Sequence, residues 1–279
     1  MIFSFESAGI DWQEKGAGLP VVMLHGLGCD HRIMAGCMEP VFESRPEYRR
    51  IYLDLPGMGA SSAPLELASS DAILDVLCAF LTKEIKGNFL LAGQSYGGYL
   101  ARGVLARMPE RVDGLLLLCP VVFPQAEDRH PAAKNIRSFD MAFLSGLDAR
   151  ERMRFCDYAV VANRRAYERY REEIAAGLTT ADASFLEGLK RRYSFSFDVD
   201  ARVRGLFYCK PVLVVAGRQD CCVGYRDQWE LCGVFPRASF AMLDLAGHQL
   251  QIERPDVFGA LAADWLERCA QGAEAQGCE

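Results

Sequence analysis

Short apolar runs recur along the chain, each about as long as a β-strand and separated by stretches with a helical pattern. Most of the runs are apolar throughout, which is typical of strands that helices cover on both faces of a sheet. The pattern therefore predicts an α/β fold with a mostly parallel, doubly wound sheet. The six predicted strands are residues 19–24, 50–53, 88–92, 114–119, 211–216 and 239–243.

Helices and one hairpin are predicted around these strands. Residues 3–15 alternate around Ala8-Gly9, which predicts a short antiparallel hairpin at a sheet edge. Residues 71–86 and 96–108 carry apolar stripes at helical spacing and are predicted as crossover helices. Pro255 suits the first turn of a final helix over residues 256–268.

The pattern changes between residues 124 and 205, where the chain becomes rich in arginine and aromatic residues and has no run of the earlier strand type. We predict a helical lid here, inserted into a core of residues 1–123 and 206–270, with residues 271–279 as a tail. Several large side chains of the lid are expected to line an apolar pocket. They are drawn from Phe139, Met141, Phe143, Met153, Phe155, Tyr158, Tyr167, Tyr170, Phe185 and Tyr193.

Composition and charge argue against some classes of function. The 279 residues are 51% hydrophobic and 24% charged, so a sizeable core is expected. The net charge of −6 argues against nucleic acid as a partner. The longest apolar stretch has eleven residues, too short for the roughly 20 of a membrane span. No secretory signal is seen, so a cytoplasmic location is expected, and the cysteine and histidine spacing predicts no metal site.

The strongest chemical signal is Gly93-Gln94-Ser95-Tyr96-Gly97, a G-x-S-x-G motif between a predicted strand and a predicted helix. A serine on such a tight turn needs strained backbone, and glycine two positions before and after it avoids a clash. The turn also directs the N–H of Tyr96 toward a developing oxyanion. We therefore predict Ser95 as a nucleophile.

At these residues the chain resembles the α/β-hydrolase family, over about residues 18–269. His25-Gly26-Leu27-Gly28 matches the family's H-G-x-G oxyanion loop, so the resemblance implies that the N–H of Leu27 joins that of Tyr96 in an oxyanion hole. The side chain of His25 is interpreted as structural. The segment from Asp54 to Ser61 matches the family's D-x-P-G-x-G-x-S loop, which carries no chemistry.

A serine nucleophile needs a histidine base that a carboxylate orients. His248 is the only histidine after the predicted lid and precedes the final helix, so it is the predicted base. Asp220 matches the family's loop after the penultimate strand and is the predicted acid. The competing carboxylates are Asp198, Asp200, Asp227 and Asp244.

Some neighbouring residues have a structural and a chemical interpretation. Cys29, Cys221 and Cys222 lie beside the predicted motifs and are interpreted as small fillers. His31 is interpreted as a surface residue, with a place at the pocket mouth as the alternative.

The residues together predict a cofactor-independent serine hydrolase that acts on a small or medium carboxylic ester. The C–C bond hydrolases of aromatic ring degradation are the runner-up, since they share the serine and the lid but commonly carry Trp where this chain has Gln249. A slow-turnover ligand receptor and an acyltransferase are further alternatives. A substrate that bears a carboxylate is also kept as an alternative, because an arginine of the predicted lid could form a bidentate pair with it. The partner is a small molecule, and the oligomeric state is not predicted.

Overall fold

The computed structural model describes residues 1–272, and a mixed eight-stranded sheet forms its centre. The strands are β1 (Ile2–Phe5), β2 (Ala8–Lys15), β3 (Leu19–Leu24), β4 (Tyr48–Leu53), β5 (Phe89–Gln94), β6 (Val112–Leu118), β7 (Ser138–Phe139), β8 (Val161–Ala162), β9 (Val212–Gly217) and β10 (Ala238–Leu243). The sheet order is β1-β2-β4-β3-β5-β6-β9-β10, with β7 and β8 paired separately. All six predicted strands are present, each with bounds within two residues of the prediction.

Helices cover the sheet and fill the segment between β6 and β9. They are α1 (Arg32–Phe42), α2 (Ser70–Glu84), α3 (Tyr96–Arg107), α4 (Met141–Ser145), α5 (Ala149–Cys156), α6 (Arg164–Tyr170), α7 (Ala176–Leu178), α8 (Ala183–Arg191), α9 (Val199–Gly205), α10 (Tyr225–Cys232), α11 (Leu250–Glu253) and α12 (Pro255–Gly272). A π-helical turn over Arg171–Ala175 joins α6 to α7. No helix within residues 1–272 is long and apolar enough to cross a membrane.

The parallel core of the sheet follows from its side chains. Strands β5 and β9 are buried at every position, because helices lie on both of their faces. The predicted hairpin is present at the sheet edge, but its turn lies before the predicted position at Ala8-Gly9. The turn lies at Glu6 and Ser7, with Glu6 at φ +50°, whereas Ala8 and Gly9 already belong to β2.

The ends of the helices have local causes. The side chain of Ser69 caps α2 by accepting a hydrogen bond from the N–H of Ala72. Helix α12 extends four residues beyond its predicted end and includes residues 271 and 272 of the predicted tail. Residues 273–279 of that tail lie outside the described residues.

The segment 124–205, the predicted lid, consists mainly of short helices and is called the lid below. The pairing of β7 with β8 was not predicted, because strands of two residues leave no recognisable pattern. The lid contacts the core through Phe185, whose ring lies over Gly57. A Cβ on Gly57 would lie 2.4 Å from that ring, so the close approach requires glycine. The boundaries 123/124 and 205/206 stay predictions.

Candidate active site

Ser95 lies on a strained turn between β5 and α3. Its backbone has φ +54° and ψ −114°, a conformation that L-residues rarely adopt. The flanking glycines make this turn feasible: a Cβ on Gly93 would lie 2.3 Å from the carbonyl oxygen of Gly97, and a Cβ on Gly97 would lie 2.2 Å from that of Leu24. The backbone therefore raises the Ser95 side chain at the carboxyl end of the sheet.

The structure brings three predicted side chains into one hydrogen-bonded chain. Nδ1 of His248 is 2.8 Å from Oδ2 of Asp220, and Nε2 of His248 is 2.9 Å from Oγ of Ser95. Because a carboxylate only accepts hydrogen bonds, Nδ1 carries the proton, and Nε2 is free to accept the Ser95 hydroxyl proton. Asp220 is almost completely buried, and its Oδ1 accepts hydrogen bonds from the backbone N–H groups of Cys222 and Val223.

Asp220 raises the pKa of the His248 imidazole. Burial lowers the pKa of His248, but the charge of Asp220 and its hydrogen bond raise it, so that the pKa lies above the ordinary 6.5. A base with a raised pKa accepts the serine proton more readily.

The competing carboxylates are all engaged elsewhere. Asp198 caps α9, and Asp200 pairs with Arg102. The remaining two also have partners: Asp227 accepts a hydrogen bond from His130, and Asp244 accepts one from the Gln219 side chain.

The predicted oxyanion loop is held by His25, as its structural interpretation requires. Its Nδ1 donates to the carbonyl of Gly26 at 2.8 Å, and its Nε2 accepts from the N–H of Leu55 at 2.8 Å. Burial lowers the pKa of His25, so the ring stays neutral and keeps both bonds. Within residues 1–272, the backbone N–H groups of Leu27 and Tyr96 donate to no other group, which leaves both available to an oxyanion.

A cavity of about 380 Å³ opens onto Ser95 and His248, and we call it the catalytic cavity. Its polar lining includes Gln94, Arg129, Cys222 and Gln249. Its apolar lining includes Leu27, Ile33, Tyr158, Tyr170, Ile174 and Leu178.

Only part of the expected aromatic lining reaches this cavity. Of the ten large lid residues, Tyr158 and Tyr170 line it. Phe155 and Phe185 are instead fully buried, while three others are mostly exposed, namely Phe139, Met141 and Met153. The apolar wall is completed by Ile174 and Leu178, which the sequence did not single out.

Glu253 is a further residue that sequence reasoning missed. One of its carboxylate oxygens accepts the N–H of Gly247 at 2.6 Å, directly before His248. The other oxygen accepts the N–H groups of Val160 and Val161 in the lid. Burial raises the pKa of Glu253 although these three hydrogen bonds lower it. Its position in the sequence six residues after Gly247 carried no signal of this role.

Within residues 1–272, two clusters have the residue types of a metal site, and hydrogen bonds join members of both. Asp220 and His248 lie within 4.8 Å of Cys222, and their contact belongs to the chain that ends at Ser95. The second cluster consists of Asp30, His31 and Asp54: Nδ1 of His31 is 2.8 Å from Oδ1 of Asp54, and Asp30 accepts a hydrogen bond from the Arg32 side chain. His31 does not line the catalytic cavity, whereas Cys29 and Cys222 do, with their thiols free.

Comparison with known proteins assigns the chain to a family. A family model described as the alpha/beta hydrolase fold matches residues 20–255. The chain belongs to the α/β-hydrolase fold family. The expected fold and the expected hydrolase class are thereby confirmed.

Individual α/β-hydrolases resemble the chain along nearly its whole length. A hydrolase from Oenococcus oeni PSU-1 superposes with a TM-score of 0.86 at 30% identity and covers 94% of this chain and 96% of its own. The 2-hydroxymuconate semialdehyde hydrolase of Pseudomonas sp. strain CF600 is 28% identical, over 93% of this chain and 92% of its own. The pimeloyl-[acyl-carrier protein] methyl ester esterase of Aeromonas salmonicida strain A449 is also 28% identical, over 87% and 93%.

Proposed function

We propose that this α/β-hydrolase is a serine esterase that cleaves small or medium carboxylic esters through an acyl-enzyme. The observation that carries the proposal is the hydrogen-bonded chain from Asp220 through His248 to Ser95, which ends at the catalytic cavity. The proposed reaction needs no cofactor, because the three side chains supply nucleophile, base and orienting charge.

The first half-reaction forms the acyl-enzyme. Ser95 Oγ attacks the ester carbonyl while His248 Nε2 takes the hydroxyl proton, and Asp220 stabilises the imidazolium. The N–H groups of Leu27 and Tyr96 hold the oxyanion of the tetrahedral intermediate. The carbon–oxygen bond to the alcohol then breaks, and the imidazolium gives its proton to the departing alkoxide.

The second half-reaction regenerates the serine. Water attacks the acyl carbonyl while His248 takes its proton, and the same two N–H groups hold the new oxyanion. The bond to Ser95 Oγ breaks, the imidazolium returns a proton to Oγ, and the carboxylic acid leaves. Each turnover consumes one water and one ester and yields one acid and one alcohol.

The size of the catalytic cavity supports a small or medium substrate. Its volume of about 380 Å³ is near the lower end of the range for small-molecule sites. Six large apolar side chains lie in its wall, which suits a short hydrocarbon chain on one side of the ester.

The decisive test is turnover of p-nitrophenyl butanoate by the wild type and by Ser95→Ala. We expect many turnovers per wild-type molecule and a loss on the order of 10⁴-fold or more in the variant, together with loss of fluorophosphonate labelling. Ser184→Ala is the matched control, because Ser184 is exposed on the lid. Labelling that persists in Ser95→Ala contradicts the assignment, and a single burst without turnover favours a receptor.

A C–C bond hydrolase is the second candidate. The full-length similarity to the 2-hydroxymuconate semialdehyde hydrolase favours it, since the match spans core and lid alike. Wild-type kcat/KM for 2-hydroxymuconate semialdehyde, measured beside that for p-nitrophenyl butanoate, separates the two. A value at least tenfold higher for the C–C substrate would replace the ester proposal.

A further inference from the structure

Arg129 places a fixed positive charge beside the candidate nucleophile and base. Among the described residues that line the catalytic cavity, it is the one with a permanently charged side chain. Its Nε and Nη2 donate to the carbonyls of Phe123 and Pro124 at 2.8 and 2.7 Å, and its guanidinium lies 5.8 Å from the ring centre of Tyr193. These contacts orient the guanidinium while using two of its five N–H donors.

A second, larger cavity lies on the other side of this residue. This outer cavity of about 880 Å³ shares Leu27 and Arg129 with the catalytic cavity. Its lining has four basic residues against two acidic ones, in a chain whose net charge is −6. A concave surface with an excess of one charge concentrates ligands of the opposite charge. The other basic residues are Lys190, Arg191 and Arg192, and the acidic ones are Asp71 and Glu127.

The charge of Arg129 opposes the acid–base role proposed for His248. Taking the Ser95 proton turns the imidazole into a cation, and the charge of Arg129 lowers the pKa of His248 against the larger effect of Asp220. A bound carboxylate or phosphate would neutralise the guanidinium and remove this opposition. A substrate that brings its own negative charge therefore suits this site better than a neutral one.

We propose that the natural substrate carries an anionic group, a carboxylate or a phosphate, that binds Arg129 while the scissile carbonyl lies at Ser95. This inference rests on the proposed hydrolysis by Ser95. The apolar wall of the catalytic cavity holds the hydrocarbon part of the substrate, and the basic residues of the outer cavity attract the anion toward Arg129.

Two methyl esters of equal chain length test the preference for an anion. Methyl pentanoate and monomethyl glutarate both have five-carbon acyl groups, and only the glutarate ends in a carboxylate. We expect kcat/KM, measured by methanol release, to be on the order of 10- to 100-fold higher for monomethyl glutarate, because only its terminal carboxylate can form charge-assisted hydrogen bonds with Arg129. An equal or lower value for monomethyl glutarate overturns a carboxylate ligand.

Inhibition distinguishes carboxylate from phosphate. Pentanoate, n-butyl phosphate and 1-pentanol are compared as competitive inhibitors of methyl pentanoate hydrolysis. Tighter inhibition by n-butyl phosphate than by pentanoate assigns a phosphate, and the reverse order assigns a carboxylate. If neither anion inhibits better than 1-pentanol, the proposed anion site is wrong.

Variants then assign the preference to Arg129. Arg129→Met should bring the discrimination between anion and neutral compound close to one, and Arg129→Lys should retain part of it, because lysine keeps the charge without the planar fork. Lys134→Met is the control, since Lys134 pairs with Asp157 and lines neither cavity. Discrimination that survives in Arg129→Met overturns the assignment.

The outcomes separate the two proposals. Hydrolysis of methyl pentanoate without any preference for anions contradicts the anion site alone, whereas absence of hydrolysis of every ester together with absence of Ser95 labelling contradicts the proposed function. If Arg129→Met does not fold, because the carbonyls of Phe123 and Pro124 lose their donor, Arg129→Lys and the wild-type ratio decide.

Discussion

The carboxylate of Glu253 accepts a hydrogen bond from the backbone N–H of Gly247 at 2.6 Å, directly before His248 in the chain. The same carboxylate accepts the N–H groups of Val160 and Val161, so one buried side chain joins the histidine loop to the lid. A substitution at Glu253 should therefore disturb both the loop that carries His248 and the lid backbone at Val160 and Val161.

Glu253→Gln should lower both the free energy of unfolding and kcat. The amide keeps one acceptor oxygen but replaces the other with an NH2 group, which then faces at least one backbone N–H donor, so we expect a loss of about 1–3 kcal/mol in the free energy of unfolding. We also expect a fall in kcat of roughly tenfold, because the imidazole is held less firmly. Thermal unfolding and ester kinetics measure these effects, with Glu267→Gln as the control because Glu267 is mostly exposed. Unchanged kcat and stability would contradict this role.

Asp220→Asn should reduce kcat by roughly 10⁴-fold without loss of the fold, because the amide favours the wrong imidazole tautomer. Asp198→Asn and Asp227→Asn are the controls, and both should retain nearly all activity. Kinetics on p-nitrophenyl butanoate, with circular dichroism to verify folding, measure the difference. A mild effect of Asp220→Asn would mean that another carboxylate orients the base.

The pH dependence of kcat/KM should report the raised pKa of His248. The base acts only when neutral, so activity should rise with pH through an apparent pKa above 6.5. In Asp220→Asn this limb should move to lower pH, since the charge that raises the pKa is lost while burial still lowers it. A limb below 6.5 in the wild type contradicts the prediction.

His248→Ala should lose nearly as much activity as Ser95→Ala, and the double variant should be little worse than either. Nucleophile and base act as one unit, since each is ineffective without the other. The three variants are compared by kcat on p-nitrophenyl butanoate. Losses that multiply would indicate that a different base serves Ser95.

Acyl-chain length should govern kcat/KM within limits set by the catalytic cavity. Each methylene buried against the apolar wall contributes about 0.8 kcal/mol, hence roughly fourfold, until the cavity is full. We expect activity to rise from acetyl to butanoyl or hexanoyl esters and then to fall, and long-chain triglycerides to be poor substrates. A flat profile over p-nitrophenyl esters would contradict the apolar wall.

The candidate triad could be predicted because each member follows a strand in a recognisable local pattern. Ser95 lies between glycines that its turn requires, and Asp220 and His248 follow the two last strands of the sheet. Strands that are parallel bring their carboxyl ends to the same edge, so residues far apart in sequence meet there.

The lid and the charged groups were less predictable. Phe155 and Phe185 look in sequence like Tyr158 and Tyr170, yet the first pair is buried in packing and the second lines the cavity. A count of aromatic residues does not distinguish the two pairs, because tertiary contacts decide which side chains of these short segments face the cavity. The position of Arg129 likewise depends on the carbonyls that hold it and on no local pattern.

The insertion of the lid between β6 and β9 also orders events during synthesis of the chain. These two strands are neighbours in the sheet, so β9 cannot pair with β6 until the whole lid has been synthesised. Ser95 precedes His248 by 153 residues, and a nascent chain that ends before β9 carries the serine turn without acid or base. Under the proposed mechanism such an intermediate is inert, and hydrolysis begins only after the segments that carry Asp220 and His248 have joined the sheet.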